Sequence, residues 1–222
     1  MSNKILPLIY AYLPNKKYET YLTLFELIKK NLDIDPLSIS VDFEKAVFKA
    51  AFKIFPCIKV YGCFFHLSQN LYKRVIKYQF IIYFNSDESF RNSYNMTQAL
   101  AYLPVEDVEL GFEIVKSTSC SKFDKILHYF EKTYIGRHVT NKKGVQKYKS
   151  PRFNIESWSV HKRVLSEIWR TTNHVESWHG SFSPNVENGL TCATLTEALR
   201  LEQQNTETLI TQINTGKIFK II

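Results

Sequence analysis

Two carboxylates in the sequence stand where a divalent cation could bind. Asp42 follows the apolar run LSISV, and Glu176 lies within RTTNHVESWHG, residues 170–180. Carboxylate oxygens are the hard ligands that Mg²⁺ prefers. Each acid also has a plainer interpretation, with Asp42 as the N-cap of the next helix and Glu176 as a surface carboxylate near a helix start. Residue type and position alone leave both interpretations open.

Glu176 is surrounded by hydrogen-bonding side chains. Asn173, His174 and His179 lie within three residues of it, and Arg170 opens the same stretch. Imidazole and amide groups support a metal site by orienting its ligands, or contact a nucleic acid directly. We therefore regard these four residues as candidates for supporting a site or binding DNA.

Cys63 and His66 have C-x-x-H spacing in GCFFH. A structural zinc site needs four ligands, and the only second pair in view is His174 with His179. We do not expect zinc, because the five-residue spacing of that pair would be distorted on one continuous helix. The plainer interpretation is a buried cysteine and a histidine that is hydrogen-bonded at a helix start. A third interpretation is a polar pair that shapes an active site.

Residues 136–153, GRHVTNKKGVQKYKSPRF, contain six cations and no acid. The cations are Arg137, Lys142, Lys143, Lys147, Lys149 and Arg152. The stretch is either a solvated loop or a loop that follows a phosphate backbone. The net charge of +8, with 29 basic and 21 acidic residues, favours a polyanionic partner but does not prove one.

Composition sets the class of protein. An apolar fraction of 45% over 222 residues fits a folded globular chain rather than a disordered one. No apolar run reaches the ~18 residues of a membrane span, and the N-terminus lacks the features of a signal peptide. Four scattered cysteines predict no disulfide framework and favour a reducing intracellular compartment.

The elements that must position these residues alternate in type over the first third of the chain. Apolar runs and helical spacing predict strand 5–13, helix 17–32, strand 37–43, helix 44–55, strand 58–66 and helix 67–78. This order predicts an α/β core with at least partly parallel strands. Asp42 would then lie at the carboxyl end of a strand, where functional groups gather.

The rest of the chain has a different pattern. Residues 87–135 show helical spacing without a clear strand, and residues 193–215 read as a helix. We expect that last helix to pack on the core, because Glu202 and Thr206 interrupt its apolar stripe. The predicted division is an α/β core part over 1–80, a helical insertion with the basic loop over 81–150, and a return to the core with the C-terminal helix over 151–222.

Several blocks together resemble the Mutator-like element (MULE) transposase domain. They are YAYLPNKKYETYLTLFELI, SVDFEKAVFKAAFKIFP, VYGCFFHLSQNLYKRV, ALAYLPVEDVELGF and RTTNHVESWHGSF, in the family's order over residues 5–205. The resemblance implies a ribonuclease H-like core with an all-α insertion before the last catalytic helix. It also implies an Asp-Asp-Glu site that holds Mg²⁺ or Mn²⁺ and acts on DNA phosphodiesters.

Carried over by position, Asp42 matches the family's second aspartate and Glu176 its glutamate. Cys63 and His66 match a C-x-x-H motif that follows the second aspartate, and we expect them to support the site. Two metal ions ~3.5–4 Å apart would activate the attacking oxygen and stabilise the leaving one. Glu176 would then be the distant half of a site that Asp42 begins.

The family's first aspartate belongs to a strand before residue 5, where only MSNK stands. We therefore expect an N-terminally incomplete core that neither cleaves nor joins DNA alone. Three function classes follow: a nuclear transposase fragment, a domesticated DNA-binding or regulatory protein without catalysis, and an interaction module unrelated to DNA. The expected partners are DNA, a second copy of the chain or the remaining transposase part, and no membrane.

Overall fold

The computed structural model describes residues 7–140, 144, 146–182 and 191–215, with the side chains of His174, His179 and Ser181 outside this description. The chain divides into two compact units. Asn15–Thr172 form the larger unit, and Met1–Pro14 with Asn173–Ile222 form the smaller one.

Helices and strands alternate at the start of the larger unit. They are α1 (Tyr18–Lys30), β1 (Ser38–Val41), α2 (Lys45–Ile54), β2 (Lys59–Gly62) and α3 (Phe64–Lys77). The order agrees with the prediction for residues 17–78. β1 and β2 are parallel, with Val41 opposite Gly62, so the carboxyl ends of both strands meet at one edge.

The middle of the larger unit is helical, as the spacing of residues 87–135 predicts. The helices are α4 (Ile81–Ser86), α5 (Glu88–Ala99), α6 (Val108–Thr118) and α7 (Asp124–Phe130). The 3₁₀ turns Leu100–Tyr102, Val105–Asp107 and Ser121–Phe123 join them, and a π-helical turn, Glu131–Ile135, follows α7. Two short helices, α8 (Ile155–Trp158) and α9 (His161–Leu165), come later.

Aromatic side chains dominate the core of the larger unit. Trp158 is fully buried, and its indole N–H donates to the carbonyl oxygen of Tyr134 at 2.9 Å. The rings of Phe43, Tyr134 and Phe153 pack mutually, with centroids 5.0–6.0 Å apart. Two of these contacts are edge-to-face and the Tyr134–Phe153 contact is stacked, and both geometries add to the free energy gained by burying large rings. This cluster joins three segments that are far apart in sequence.

The basic stretch is a hairpin, and its prediction as a loop was wrong. Strands β3 (Arg137–Thr140) and β4 (Gln146–Lys149) pair antiparallel. The ring of Tyr148 stands opposite His138 at 5.3 Å, and its hydroxyl donates to the carbonyl of Ile135 at 3.0 Å. Gly136 has φ +96°, and the Tyr148 ring lies where a Cβ would stand, so a larger residue is excluded there.

Two predicted strands were also wrong in part. Residues 7–13 form no strand, and Leu8 and Ile9 are exposed. An apolar run becomes a strand only when a neighbour pairs with its backbone, and composition cannot supply that neighbour. The strand predicted over 58–66 ends at Gly62, because Cys63 takes an extended N-cap conformation and α3 begins at Phe64.

The smaller unit contains residues 7–14, α10 (Asn173–Phe182) and α11 (Cys192–Asn214). Trp178 stacks on Phe182 at 5.1 Å, and its indole N–H donates to Glu202 at 2.7 Å. Thr206 is buried. Glu202 and Thr206, which interrupt the apolar stripe of α11, therefore both take part in the packing of the smaller unit.

The protein is mostly helical with two small sheets, which is compatible with the predicted α/β class. Across the described ranges, none of the helices combines the length and the apolar character needed to cross a bilayer. The ribonuclease H-like core and the three-part division of the chain remain predictions.

Candidate metal site and nucleic-acid interface

Asp42 lies at the carboxyl edge of the parallel strand pair, directly after β1. Its side chain is 51% exposed, and Oδ1 lies 3.0 Å from Nδ1 of His66 in the first turn of α3. The structure thus brings together two residues that the sequence analysis selected 24 positions apart. Asp42 is not the N-cap of α2, because Glu44 occupies that position and no side chain caps the helix there.

Glu44 is the nearest other acid in sequence, and its carboxylate is already engaged. It accepts hydrogen bonds from Lys16 Nζ at 2.7 Å and from the Tyr21 hydroxyl at 2.8 Å. Burial raises the pKa of Glu44, but these two donors outweigh burial and leave the pKa lowered. Burial, followed by the carboxylate beside it, raises the pKa of Tyr21 to about 12. Glu44 is therefore held by the fold, whereas Asp42 faces solvent.

Cys63 is a structural group of the turn between β2 and α3. Its thiol is almost fully buried, and its N–H donates to the Val41 carbonyl at 2.9 Å. The sulfur accepts from the backbone N–H of Thr172 at 3.4 Å and from its hydroxyl at 3.2 Å. This geometry supports the interpretation of Cys63 as a buried, hydrogen-bonded cysteine.

Arg163, which the sequence analysis missed, stabilises the same turn through a hydrogen bond to its backbone. It is 1% exposed, and Nη2 donates to the carbonyl of Gly62 at 3.1 Å. Its guanidinium lies 5.0 Å from the ring centroid of Tyr61. Burial lowers the pKa of Arg163, since a charge is costly away from water. Nothing in the spacing of the basic residues distinguishes this cation from the exposed ones.

The stretch around Glu176 divides between the two units. Arg170 has an exposed side chain, and its carbonyl accepts from the N–H of Phe64 at 2.9 Å. Asn173 begins α10 and is exposed, and Glu176 lies in the first turn of α10 and is half-buried. The side chains of His174 and His179 lie outside the described residues. Association of Glu176 with Asp42 remains a prediction from the resemblance.

The predicted DNA-binding residues lie mainly on the hairpin. Arg137 and Lys149 are direct cross-strand partners, and Lys147 is opposite Val139. Arg152 follows the hairpin, with its guanidinium 5.5 Å from the ring centroid of Phe153. Lys142 and Lys143 lie outside the described residues.

The model of the MULE transposase domain family matches residues 1–70, about a third of the chain. The match confirms the resemblance over this range, which contains Asp42, Cys63 and His66. No curated protein and no solved structure matches the chain. The resemblance of residues beyond 70 remains a prediction.

A transposase domain of this family implies a divalent metal and DNA as substrate. Asp42 fits such a metal, because it offers an accessible carboxylate at the end of a strand. Glu44 does not fit, because both of its oxygens already accept hydrogen bonds. The site would therefore need its further oxygen ligands from elsewhere in the protein.

Proposed function

We propose that the protein is a transposase-related domain that binds DNA and holds Mg²⁺ or Mn²⁺ through Asp42, with Glu176 as a second ligand. The observation that carries the proposal is the accessible Asp42 beside His66 at the carboxyl edge of two parallel strands, within the stretch that matches a transposase domain. The ribonuclease H-like core belongs to this proposal.

The chemistry proposed for the site is phosphodiester displacement in DNA. A bound divalent cation would polarise the phosphate and activate the attacking oxygen. Asp42 would supply a hard ligand on a rigid element, and His66 would fix the orientation of that carboxylate through their 3.0 Å contact. The family pattern uses three acids, so we expect cleavage only when a third carboxylate completes the pair Asp42 and Glu176.

Metal binding tests this proposal without requiring catalysis. Titration with Mn²⁺, followed by calorimetry, measures the affinity of the site. Asp42→Asn should weaken it by at least roughly tenfold, because loss of a residue that only orients a ligand already costs about that much. Asp33→Asn is the matched control, because Asp33 is another exposed acid near a helix end. Unchanged Mn²⁺ affinity in Asp42→Asn would refute the assignment.

Glu176 is tested in the same titration. If it supplies the second ligand, Glu176→Gln should also weaken Mn²⁺ binding, and the double variant should lose little more than either single variant. Coupling of this kind is expected for residues that share one ligand. Independent, additive losses would show that Glu176 binds elsewhere.

A second candidate function is DNA binding without catalysis, as in a domesticated transposase. The basic hairpin favours it, because Arg137 and Lys149 are opposite each other and neither is ion-paired among the described residues. This function predicts DNA affinity that falls steeply with salt and is unchanged when Mg²⁺ is removed.

A further inference from the structure

A basic cleft forms where the hairpin meets two other segments of the larger unit. The cleft has a volume of about 390 Å³. Its cations are Lys45, Lys132, Arg137, Lys149 and Arg152, and Ser150 and Pro151 complete its lining. None of the described residues that line the cleft is acidic. Lys45 and Lys132 were not among the predicted DNA-binding residues, because Lys45 lies far from the basic stretch in sequence and Lys132 lies just before it.

The cations of the cleft lack counter-charges of their own. Within the described ranges, none of the five is ion-paired with a carboxylate, although Arg137 donates to Nε2 of His128 at 3.1 Å. Elsewhere in the larger unit, Lys116 contacts two glutamates at 3.1 and 3.3 Å, and Lys122 contacts Asp87 at 3.2 Å. The cleft therefore gathers five cations with no carboxylate partner among the described residues, and a bound anion would neutralise this local concentration of positive charge.

The register of the hairpin makes the same point independently. Arg137 lies directly opposite Lys149, so two like charges share one face of the antiparallel pair. Such pairs destabilise a hairpin, and an opposite charge at either position would stabilise it. The pair therefore does not stabilise the hairpin by itself, and an anion bound between the two side chains would offset their repulsion.

The cleft is built on the aromatic core. Lys45 lies two residues after Phe43, Lys132 lies two residues before Tyr134, and Arg152 directly precedes Phe153. The three rings pack mutually at 5.0–6.0 Å. Cations from three separate segments are thereby held together before any ligand arrives, which lowers the entropic cost of binding.

The cleft also lies close to Asp42. Lys45 begins α2 only three residues after Asp42, so their Cα atoms are at most ~11 Å apart. An anionic chain that enters the cleft would therefore pass near the carboxyl edge of the strands.

We propose that this basic cleft binds the phosphate backbone of the DNA beside the Asp42 site, independently of base sequence. The proposal rests on the proposed function and adds the place where the backbone is held, with Lys45 and Lys132 as phosphate contacts. Ammonium and guanidinium groups bind successive phosphates and release the counterions of the DNA.

Fluorescence anisotropy with a labelled DNA duplex, measured from about 50 to 200 mM salt, tests the cleft. The double variant Lys45→Gln/Lys149→Gln should bind roughly 10-fold more weakly or worse near 0.1 M salt. Its slope of log affinity against log salt should be less steep by about 2. The matched control is Lys53→Gln/Lys77→Gln, which removes two exposed cations from the last turns of α2 and α3 and should change affinity less than about twofold. Equal losses in the two double variants would overturn the proposal.

A thermal melt distinguishes lost binding from lost structure. Lys149→Gln removes the like-charge pair with Arg137, so its Tm should equal or exceed that of the unaltered protein while its DNA affinity falls. Should this variant melt earlier, Lys45→Gln alone, which lies outside the hairpin, decides the matter by the same anisotropy measurement. Retained affinity in Lys45→Gln would then refute the cleft.

Inorganic phosphate distinguishes DNA from a small anion. We expect phosphate to weaken duplex binding no more than chloride does at equal ionic strength. If phosphate binds with the same dependence on Lys45 and Lys149 while the duplex does not bind, the nucleic-acid assignment is wrong. The Mn²⁺ titration of Asp42→Asn is a separate measurement, so the cleft can survive failure of the metal site, and the metal site can survive failure of the cleft.

Discussion

Arg163 and the cations of the basic cleft carry the same charge in opposite surroundings. Arg163 is buried and donates to the carbonyl that ends β2, so its partners belong to the fold. Lys149 and Arg137 are opposite each other on the hairpin, and repulsion between their like charges destabilises it. The two kinds of cation therefore differ in what binds them. Arg163 stabilises a turn of the fold, whereas the cleft cations are available to a ligand. Four substitutions or conditions test this contrast.

The largest effect is expected at Arg163. Arg163→Met leaves the Gly62 carbonyl without its donor and removes packing against Tyr61, which should cost about 2–4 kcal/mol in the free energy of unfolding. Urea denaturation measures this loss. Arg170→Met is the matched control, because its side chain is exposed and makes only a surface contact, 6.0 Å from the ring centroid of Tyr102, so the loss should be below about 1 kcal/mol. Similar losses in both variants would remove the contrast.

Gly62→Ala should have the next largest effect. A methyl group at this position meets the ring of Phe43, which is already packed against Tyr134 and Phe153. Overpacking of this kind costs about 1–3 kcal/mol. Because Phe43 also supports the segment that carries Lys45, the variant should weaken DNA binding without any change of charge. Normal stability together with normal DNA affinity would show that the ring moves aside freely.

Lys149→Glu should have a smaller effect of opposite sign. A glutamate opposite Arg137 replaces repulsion by attraction and should stabilise the hairpin by about 0.2–1 kcal/mol. The same change should sharply reduce DNA affinity. Calorimetric melting and anisotropy together test the pair of expectations. A variant that is destabilised, or one that binds DNA normally, would contradict the role of the cleft.

The smallest effect concerns the paired charges Asp87 and Lys122. Asp87 accepts from Ser89 and Phe90 at the start of α5, and the Ser89 hydrogen bond followed by Lys122 lowers the pKa of Asp87 to about 2. The pKa of Asp87 is lower in the folded protein than in the unfolded chain, where it is about 3.9. The ionised carboxylate therefore contributes its full stabilisation above that pH, and the stabilisation is lost as the pH falls toward 2. The Tm advantage over Asp87→Asn should therefore shrink below about pH 4. A constant advantage down to pH 2 would contradict the assignment.

The helices and strands that were predicted correctly are those whose local residue pattern is sufficient to specify them. The helical spacing of α1 and α2 and the apolar run of β1 were sufficient, and the strand–helix order implied that β1 and β2 are parallel. The hairpin was missed, although the alternation in QKYK and the nearby glycine are hairpin signals. The high density of lysine and arginine in this stretch conceals its two-residue strand period.

The candidate site was predictable only in part. Asp42 and His66 were selected from their motifs, and they do meet at 3.0 Å. The burial of Arg163 and the gathering of Lys45 with Lys132 depend on tertiary packing, which no local pattern encodes. Residues 7–13 failed as a strand for a related reason, because an apolar run does not specify its partner.

The π-helical turn Glu131–Ile135 has a further consequence for the lysine that it carries. A π turn contains one more residue than the α-helical turn it replaces, and each residue of a helix advances the side-chain direction by about 100°. The same turn carries Lys132, which is exposed and lines the cleft, and Thr133, Tyr134 and Ile135, which are buried. One π-helical turn thus connects the hydrophobic core directly to the positive charge that lies outside it.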